Sequence, residues 1–468
     1  MECNYDNLYN PRITSSIMFY GRDRELALLE ERYNSDRFEF LPVYGRRRVG
    51  KTRLLREFIA KHEGVFFTAK TRSLKENMDE FASKVYGADV SASLTSILDT
   101  IEKRSRDKRF ILVIDEYPRL LSKDRSVGDT LQEFIDRIHE DSKLFLILCG
   151  SSISVMEHEV LGYKSPLYGR RTGSLELLPL SVWESMEFLR GFDRDDSLRI
   201  YGMVGGIPMY LGLFDPSHSL KENVIRLFLR EDSFFRNEHL MTLIEEFENP
   251  STFYSLIGAV ASGRSRVNEI SDLIGLDQPT TSKYLMRLEF IGIVSKERPV
   301  DNPNGRVTVY RISDPFLRFQ FSRVLPVIDD VDPYGYDVLA DDILNLFDSD
   351  MGIVFEGVCA EHLRRVHPGR IGTWWGSDPT TKRMEEIDLI STRVIDDRNV
   401  GWFAECKYKS SVVGIDVLEL LRRRVSLVKG YDESKLILYS RSGFHDSLTG
   451  VDGVELYTLD DILDMDQQ

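Results

Sequence analysis

The 468-residue chain is poor in cysteine. Its four (Cys3, Cys149, Cys359 and Cys406) lie far apart and form no C-x-x-C pair. That spacing speaks against a disulfide framework or a zinc site and leaves buried or bystander thiols. The eight histidines are equally scattered, with no metal-ligand spacing. No apolar run approaches the roughly 20 residues needed to span a bilayer. The first six residues lack the basic-then-apolar layout of a signal peptide. A cytoplasmic location with no membrane partner is therefore expected. Internal repeats and low-complexity tracts are also missing. The net charge of −15 argues against a protein that coats nucleic acid through its overall field, while a local basic surface stays compatible with it.

What is present is a soluble-type composition, 42% hydrophobic and 29% charged, long enough for about three domains. Residues 38–44, 65–68, 110–114 and 144–149 read as apolar strands separated by helices at 51–62 and near 127–140. That alternation predicts an α/β fold with a parallel sheet covered on both faces. From 181 to about 249 the pattern turns helical. Three short helices and a Pro/Asn/Gly-rich hairpin occupy 251–312. An Asp/Pro-rich stretch at 326–336 reads as a linker or ordered connector. Beyond it come a helical region (342–365), strands at 386–394 and 402–407, a helix at 417–425 and a strand at 436–439.

Gly45-Arg46-Arg47-Arg48-Val49-Gly50-Lys51-Thr52 fits G-x-x-x-x-G-K-[ST] completely, after a buried strand and at the start of a helix. In such a loop the backbone around Gly45, Val49, Gly50 and Arg53 wraps phosphates, aided by the helix N-terminus. Lys51 is expected to reach the β/γ-phosphates and Thr52 to hold Mg²⁺. Arg46–Arg48 are expected to face solvent. At the end of the third strand, Asp115 is assigned to Mg²⁺ and Glu116 to polarising the attacking water. Ser151, after the next strand, is a candidate γ-phosphate sensor, although capping the following helix explains it equally well. Arg170 is a candidate for neutralising transition-state charge.

These residues resemble the archaeal-type ATPases, a branch of the signal-transducing P-loop ATPases related to the origin-recognition and Cdc6-like group. Phe19-Tyr20-Gly21-Arg22-Asp23-Arg24-Glu25-Leu26 is similar to the family's first motif, and Gly206-Ile207-Pro208 to its G-x-P motif. The resemblance implies that Tyr20, Arg22 and Pro208 lie near the adenine, and that ATP and ADP switch the arrangement of domains.

The three helices and hairpin at 250–312 have the sequence form of a winged helix. Lys283 and Arg287 would project from its recognition helix, and Arg298 and Arg306 would flank the wing, where cations suit DNA phosphates. Such domains also serve as protein-interaction modules or spacers.

In the C-terminal segment, Asp388 on one strand and Glu405-Cys406-Lys407 on the next can meet at a sheet face. Asp388 and Glu405 would hold Mg²⁺ or Mn²⁺, with the Cys406 carbonyl completing the shell and Glu356 adding a third carboxylate. Lys407 would orient or activate water. An ordinary cross-strand ion pair is the plainer explanation of Asp388 and Lys407. The pattern resembles the PD-(D/E)xK nuclease superfamily, in the setting of the domain commonly fused to archaeal ATPases.

The expected layout is a P-loop ATPase core (15–180), helical lid (181–249), winged helix (250–312), connector (313–345) and α/β PD-(D/E)xK nuclease-like domain (346–468). The expected function is an ATP/ADP-driven, Mg²⁺-dependent switch that acts on DNA and cleaves it. The alternative is a signalling or scaffold switch whose nuclease-like domain only binds. A homo-oligomer or a nucleotide-dependent protein partner fits either.

Overall fold

The structure, a computed structural model, describes residues 19–300 and 308–464. Cys3, Arg306 and the expected turn at 303–305 lie outside the described residues. The chain resolves into two compact units. The first comprises the residues up to Leu180 with Gly206–Leu213 and Met241–Glu248; the second comprises Ser181–Gly205, Phe214–Leu240 and the residues from Asn249 onward. The segment expected to be a lid is thus divided between them.

The first unit is built on strands β1 (Glu39–Tyr44), β2 (Gly64–Thr68), β3 (Phe110–Asp115), β4 (Leu144–Gly150) and β5 (Leu175–Glu176). They form one sheet in the order β2-β3-β4-β1-β5, with every pairing parallel. Every residue of β3 and β4 is buried, as expected of parallel strands covered on both faces. Helices α1 (Asp23–Tyr33), α2 (Lys51–Ile59), α3 (Leu74–Tyr86), α4 (Leu94–Ser105) and α5 (Ser126–Ile138) accompany the sheet. Helix α3 starts at a Ser73/Glu76 capping box. It contributes Met78, Phe81 and Val85 to the same core as Ile97 and Ile101 of α4 and Leu131 and Phe134 of α5. This order makes β1, β4 and β3 consecutive neighbours, so the loops leaving their C-terminal ends share one edge of the sheet.

In the second unit, α6 (Pro250–Ala261), α7 (Val267–Ile274) and α8 (Gln278–Phe290) precede an antiparallel pair, β6 (Val294–Glu297) with β7 (Val309–Ile312). The expected connector contains packed aromatic side chains. Phe316 and Phe319 are buried, and Phe319 packs at 5.0 Å against both Phe228 and Phe347.

The C-terminal sheet follows helix α9 (Met351–Val366) and has the order β12-β11-β10-β9-β8. Its strands are β8 (Arg370–Ser377), β9 (Met384–Ile395), β10 (Arg398–Lys407), β11 (Glu433–Ser440) and β12 (Val454–Thr458), with helix α10 (Ile415–Val425) between β10 and β11. Strands β8, β9 and β10 pair antiparallel; β10, β11 and β12 pair parallel. The β9–β10 turn places both Asp396 and Asp397 at positive φ, the geometry of a two-residue type I′ hairpin. That tight turn fixes the register, with Leu389 opposite Ala404, and so sets Asp388 beside Glu405. Helix α10 covers the face that carries Ile390, Phe403 and Leu438. Helix α9 meets β10 from the other side, where Phe355 packs on Tyr408. Trp374 belongs to the core on the α10 face. Past β6, the Val300 N–H donates to the Thr373 carbonyl of β8 at 2.9 Å, tying the hairpin to the C-terminal sheet.

Gly206 sits in the tightest backbone approach of the first unit: a Cβ there would lie 1.9 Å from the Leu180 carbonyl oxygen. Gly206→Ala is expected to destabilise the chain by about 2–4 kcal/mol. Thermal unfolding of the two proteins checks this, and equal midpoints would contradict the close approach.

Candidate functional sites

The loop between β1 and α2 needs its glycines. Gly45 has φ of 143° and Gly50 of 102°, and a Cβ on Gly45 would lie 2.3 Å from the Leu177 carbonyl oxygen. The buried Lys51 ammonium folds back on the loop, donating to the carbonyls of Gly45 (2.7 Å) and Arg46 (2.9 Å). Burial pushes its pKa below the ordinary lysine value, and the charges of Glu116, Asp115 and Glu245 work in the opposite direction. Thr52 Oγ1 donates to Asp115 Oδ2 at 3.0 Å, and Thr68 Oγ1 approaches the same oxygen at 3.4 Å. The other carboxylate oxygen, Asp115 Oδ1, is buried without a hydrogen-bond partner. A buried carboxylate oxygen with no donor fits a cation. Thr52 and Asp115 therefore form a suitable donor pair for Mg²⁺ beside a phosphate loop.

Glu116 follows Asp115 with φ of 53°, a left-handed conformation that turns its side chain away from the line of the strand. Its Oε2 accepts from Ser151 Oγ at 3.1 Å and lies 3.8 Å from Arg119 Nε. Ser151 thus reaches the glutamate expected to activate water, while the helix cap is made by its neighbour Ser152. Pro208 stands over the loop: a Cβ on Gly50 would be 3.9 Å from its Cγ. The buried Arg22 donates to the carbonyls of Val49 (3.1 Å) and Leu178 (2.7 Å), which makes it a brace for the loop. Arg53 pairs with Glu57 one turn along its own helix. Arg170 is held by both carboxylate oxygens of Asp136 (2.6 and 2.7 Å) and by the Pro166 carbonyl.

The loop arginines differ from the expectation that they face solvent. All three are only partly exposed. Arg47 pairs with Glu245 at 2.8 Å, and the Arg48 guanidinium lies 5.9 Å from the Tyr210 ring centroid. The partners sit some 160 to 200 positions downstream, so no local pattern announces them.

In the second constellation the structure brings Asp388, Glu405 and Lys407 close together. Lys407 Nζ lies 2.6 Å from Glu405 Oε1 and 3.6 Å from Asp388 Oδ2. Asp388 Oδ2 also accepts from the Cys406 backbone N–H at 2.8 Å. Burial raises the Asp388 pKa to about 6, with Glu405 adding to the rise and Lys407 opposing it. Burial likewise raises Glu356 to about 7, followed by the charges of Asp388 and Glu386. Glu405 is 2% exposed, and its Oε2 has no hydrogen-bond partner. A cation held between Asp388 and Glu405 suits that oxygen. Among the described residues, however, no three His, Cys, Asp or Glu side chains already stand at metal-binding distances. The sequence reading missed Arg424 on α10, which donates to Glu405 Oε1 (2.8 Å) and Glu385 Oε2 (3.0 Å). Arg423 extends this network to Glu385 and Asp378. Only the packing of α10 on the sheet brings these charges together.

Of the DNA candidates, Lys283 and Arg287 are exposed on α8, with Arg287 over the Phe253 ring at 5.3 Å. Arg298 Nε donates to Thr308 Oγ1 at 3.1 Å. Between α7, α8 and the hairpin runs a groove of mixed character, with Arg266, Asn268, Ser282 and Lys296 beside Val267 and Met286. Arg266 and Lys296 are cations that the sequence reading did not single out.

A glutamate whose folded pKa is raised from 4.5 to about 7 keeps its proton in the folded state after the unfolded chain has lost it. Between those values stability falls as pH rises, and it stays lower above pH 7. Glu356→Gln is therefore expected to melt a few degrees higher than wild type at pH 8 in EDTA. The gain should shrink towards pH 5. Thermal melts across that range check it, and a gain independent of pH would refute the assignment.

Comparison with known proteins agrees with the geometry of the first unit. The family described as "ATPase domain predominantly from Archaea" matches residues 19–214. A second family, described as "Archaea bacterial proteins of unknown function", matches residues 320–418. The uncharacterized protein MJECL04 of Methanocaldococcus jannaschii is 32% identical over 410 residues, spanning 84% of this chain and 88% of its own. The fold is similar to that of the Walker-type ATPase PABY2304 of Pyrococcus abyssi, with a TM-score of 0.51 and 21% identity over 65% of this chain and 96% of that one. The Aeropyrum pernix ORC2 protein, solved as ADPNP–ADP complexes, gives a TM-score of 0.47 at 13% identity, over 69% and 98% of the respective chains. No helix among the described residues is long and apolar enough to cross a membrane. With a phosphate loop after β1, a buried Asp115 followed by a partly exposed Glu116 at the end of β3, and a relative matched along most of its length, the chain belongs to the family of that M. jannaschii protein and carries an archaeal-type ATPase domain.

Proposed function

We propose that this chain binds and hydrolyses ATP and uses the nucleotide to control DNA binding and metal-dependent cleavage of a DNA phosphodiester. In this reading Lys51 and the loop amides hold the phosphates, while Thr52 and Asp115 hold Mg²⁺. Glu116, steadied by Ser151, accepts the proton of the attacking water. Tyr20, Arg22 and Pro208 border the base. Arg170 is proposed to neutralise transition-state charge, which requires its release from the ion pair with Asp136. Residues 250–312 act as a winged helix, presenting Lys283, Arg287 and Arg298 together with the groove cations Arg266 and Lys296. The proposed domain divisions fall near 180, 249, 312 and 345, and a cytoplasmic homo-oligomer is the working form.

The observation that carries the nuclease reading is the meeting of Asp388, Glu405 and Lys407, with Glu405 Oε2 buried and without a donor. A helix, three antiparallel strands, a second helix and a parallel strand surround it, an arrangement that supports the PD-(D/E)xK reading. Asp388 and Glu405 would hold Mg²⁺ or Mn²⁺, with Glu356 within electrostatic reach. Such an ion supplies Lewis acidity and a more acidic bound water. Lys407 balances the carboxylates and orients the water. Glu356, titrating near pH 7, can take up its proton.

A second reading is favoured by one observation: Glu405 Oε1 is shared between Lys407 and Arg424, so the site already has its countercharges without a metal. In that reading the C-terminal domain is a binding platform worked by the ATPase.

Plasmid and branched DNA incubated with Mg²⁺ or Mn²⁺, with and without ATP, separates the two. The nuclease reading expects metal-dependent cutting that disappears in Asp388→Ala and in Lys407→Ala. Cutting that persists in both variants would refute the assigned centre, and no cutting on any substrate would favour the platform. For the ATPase, Lys51→Ala is expected to abolish nucleotide binding. Glu116→Gln is expected to bind ATP but to turn it over about 10²-fold more slowly. Radiolabelled ATP binding and phosphate release measure both, and wild-type turnover in Glu116→Gln would overturn that role.

A further inference from the structure

Two consecutive glutamates fasten Met241–Glu248 to two separate parts of the nucleotide site. Glu245 pairs with Arg47, the third residue of the phosphate loop, at 2.8 Å. Its charge also acts on Lys51. Glu246 accepts from the backbone N–H groups of Ile153 (3.1 Å) and Ser154 (3.3 Å), and from Ser152 Oγ (3.4 Å). Those residues directly follow Ser151, which grips Glu116. Leu243 and Phe247 are buried beside the two carboxylates, so the segment is packed as well as charged. One short stretch of chain therefore touches the loop that binds phosphate and the strand end that holds the catalytic glutamate. At Asn249 the same stretch runs on into the second unit.

The two attachments respond differently to phosphate. Arg47 and Glu245 are each about a third exposed, and an exposed ion pair is weak. An arginine bonds a phosphate at least as well as it bonds a carboxylate. A nucleotide in the loop thus competes for Arg47 and repels Glu245, both through charge. The Glu246 attachment involves backbone amides outside the phosphate loop, and it yields only if the segment moves as a unit.

We propose that Glu245 and Glu246 form a nucleotide-sensing latch. They hold Met241–Glu248 against the ATPase core, and phosphate in the loop releases the segment by taking Arg47 from Glu245. The latch reports nucleotide along the chain to the residues that begin at Asn249. It rests on nucleotide binding at Lys51 and Thr52 and is independent of the Asp388 centre, so a failed cleavage assay leaves it standing.

Linkage supplies the test. If nucleotide opens the latch, breaking the latch anywhere must tighten nucleotide binding by the same coupling. Glu246→Ala removes the attachment that does not adjoin the phosphates, and Glu245→Gln removes the one that does. Both full-length variants are expected to bind a fluorescent ATP analogue about fivefold more tightly than wild type. Hydrogen exchange at 241–248 is expected to be slow in wild type without nucleotide and faster with ATPγS. It should be fast in both variants without nucleotide. Tighter binding in Glu245→Gln alone would reduce the effect to local electrostatics and overturn the latch. Exchange at 241–248 that ignores nucleotide would overturn it too. Thermal melts without nucleotide verify that each variant is folded.

Discussion

Charged groups held at the end of an apolar sheet are the constraint on which the nucleotide site depends. Strands β3 and β4 are buried along their whole length, so their side chains cannot carry polar chemistry except where the strands stop. Lys51 and Asp115 are nonetheless buried at that edge, and burial of an ionised group is costly unless it is bonded. The loop carbonyls of Gly45 and Arg46 meet the ammonium, and Thr52 meets one oxygen of the carboxylate. The second oxygen is left over, which is the condition a cation satisfies. The glycine conformations, the brace from Arg22 and the proximity of Pro208 all serve to hold these few atoms in place.

The C-terminal sheet solves the same problem with different parts. A two-residue turn fixes the β9–β10 register, and the register brings Asp388, Glu405 and Lys407 into one charged cluster. Here the countercharges come from side chains: Lys407 on the same strand and Arg424 from the covering helix. Both sites therefore keep one buried carboxylate oxygen without a donor, Asp115 Oδ1 and Glu405 Oε2. In each, neighbouring hydrogen bonds hold the other oxygen. A buried acceptor that could have been satisfied more cheaply by a smaller residue points to a ligand rather than to stability.

Residues 313–345, the expected connector, contribute Phe316 and Phe319 to an aromatic core. The apolar residues of this region cluster at 315–324, ahead of the Asp/Pro-rich stretch at 326–336 that reads as a linker or ordered connector. Helices α3 and α4 escaped notice: their apolar residues recur at helical spacing within strongly polar sequence, without a long apolar run.

The sequence by itself determined the phosphate loop, the Asp115-Glu116 strand end and the Asp388/Glu405/Lys407 pattern. Each is a short contiguous run, or a pair of runs joined by a tight turn, whose local geometry follows from strand alternation and glycine freedom. Strands β1 to β4 and β9 to β11 and helices α2, α5 and α10 were legible as well, whereas α3, α4, β5, β8 and β12 were not. Tertiary structure alone decided that Ser151 holds Glu116, that Arg47 meets Glu245, that Glu246 caps the chain after β4, and that Arg424 neutralises Glu405. Those partners are separated by 19 to 198 positions and are joined by the stacking of helices on sheets and by the strand order β2-β3-β4-β1-β5. A charge pattern in sequence leaves its partner undefined, because a single arginine or glutamate can pair with any opposite charge the fold brings near. Only packing makes that choice.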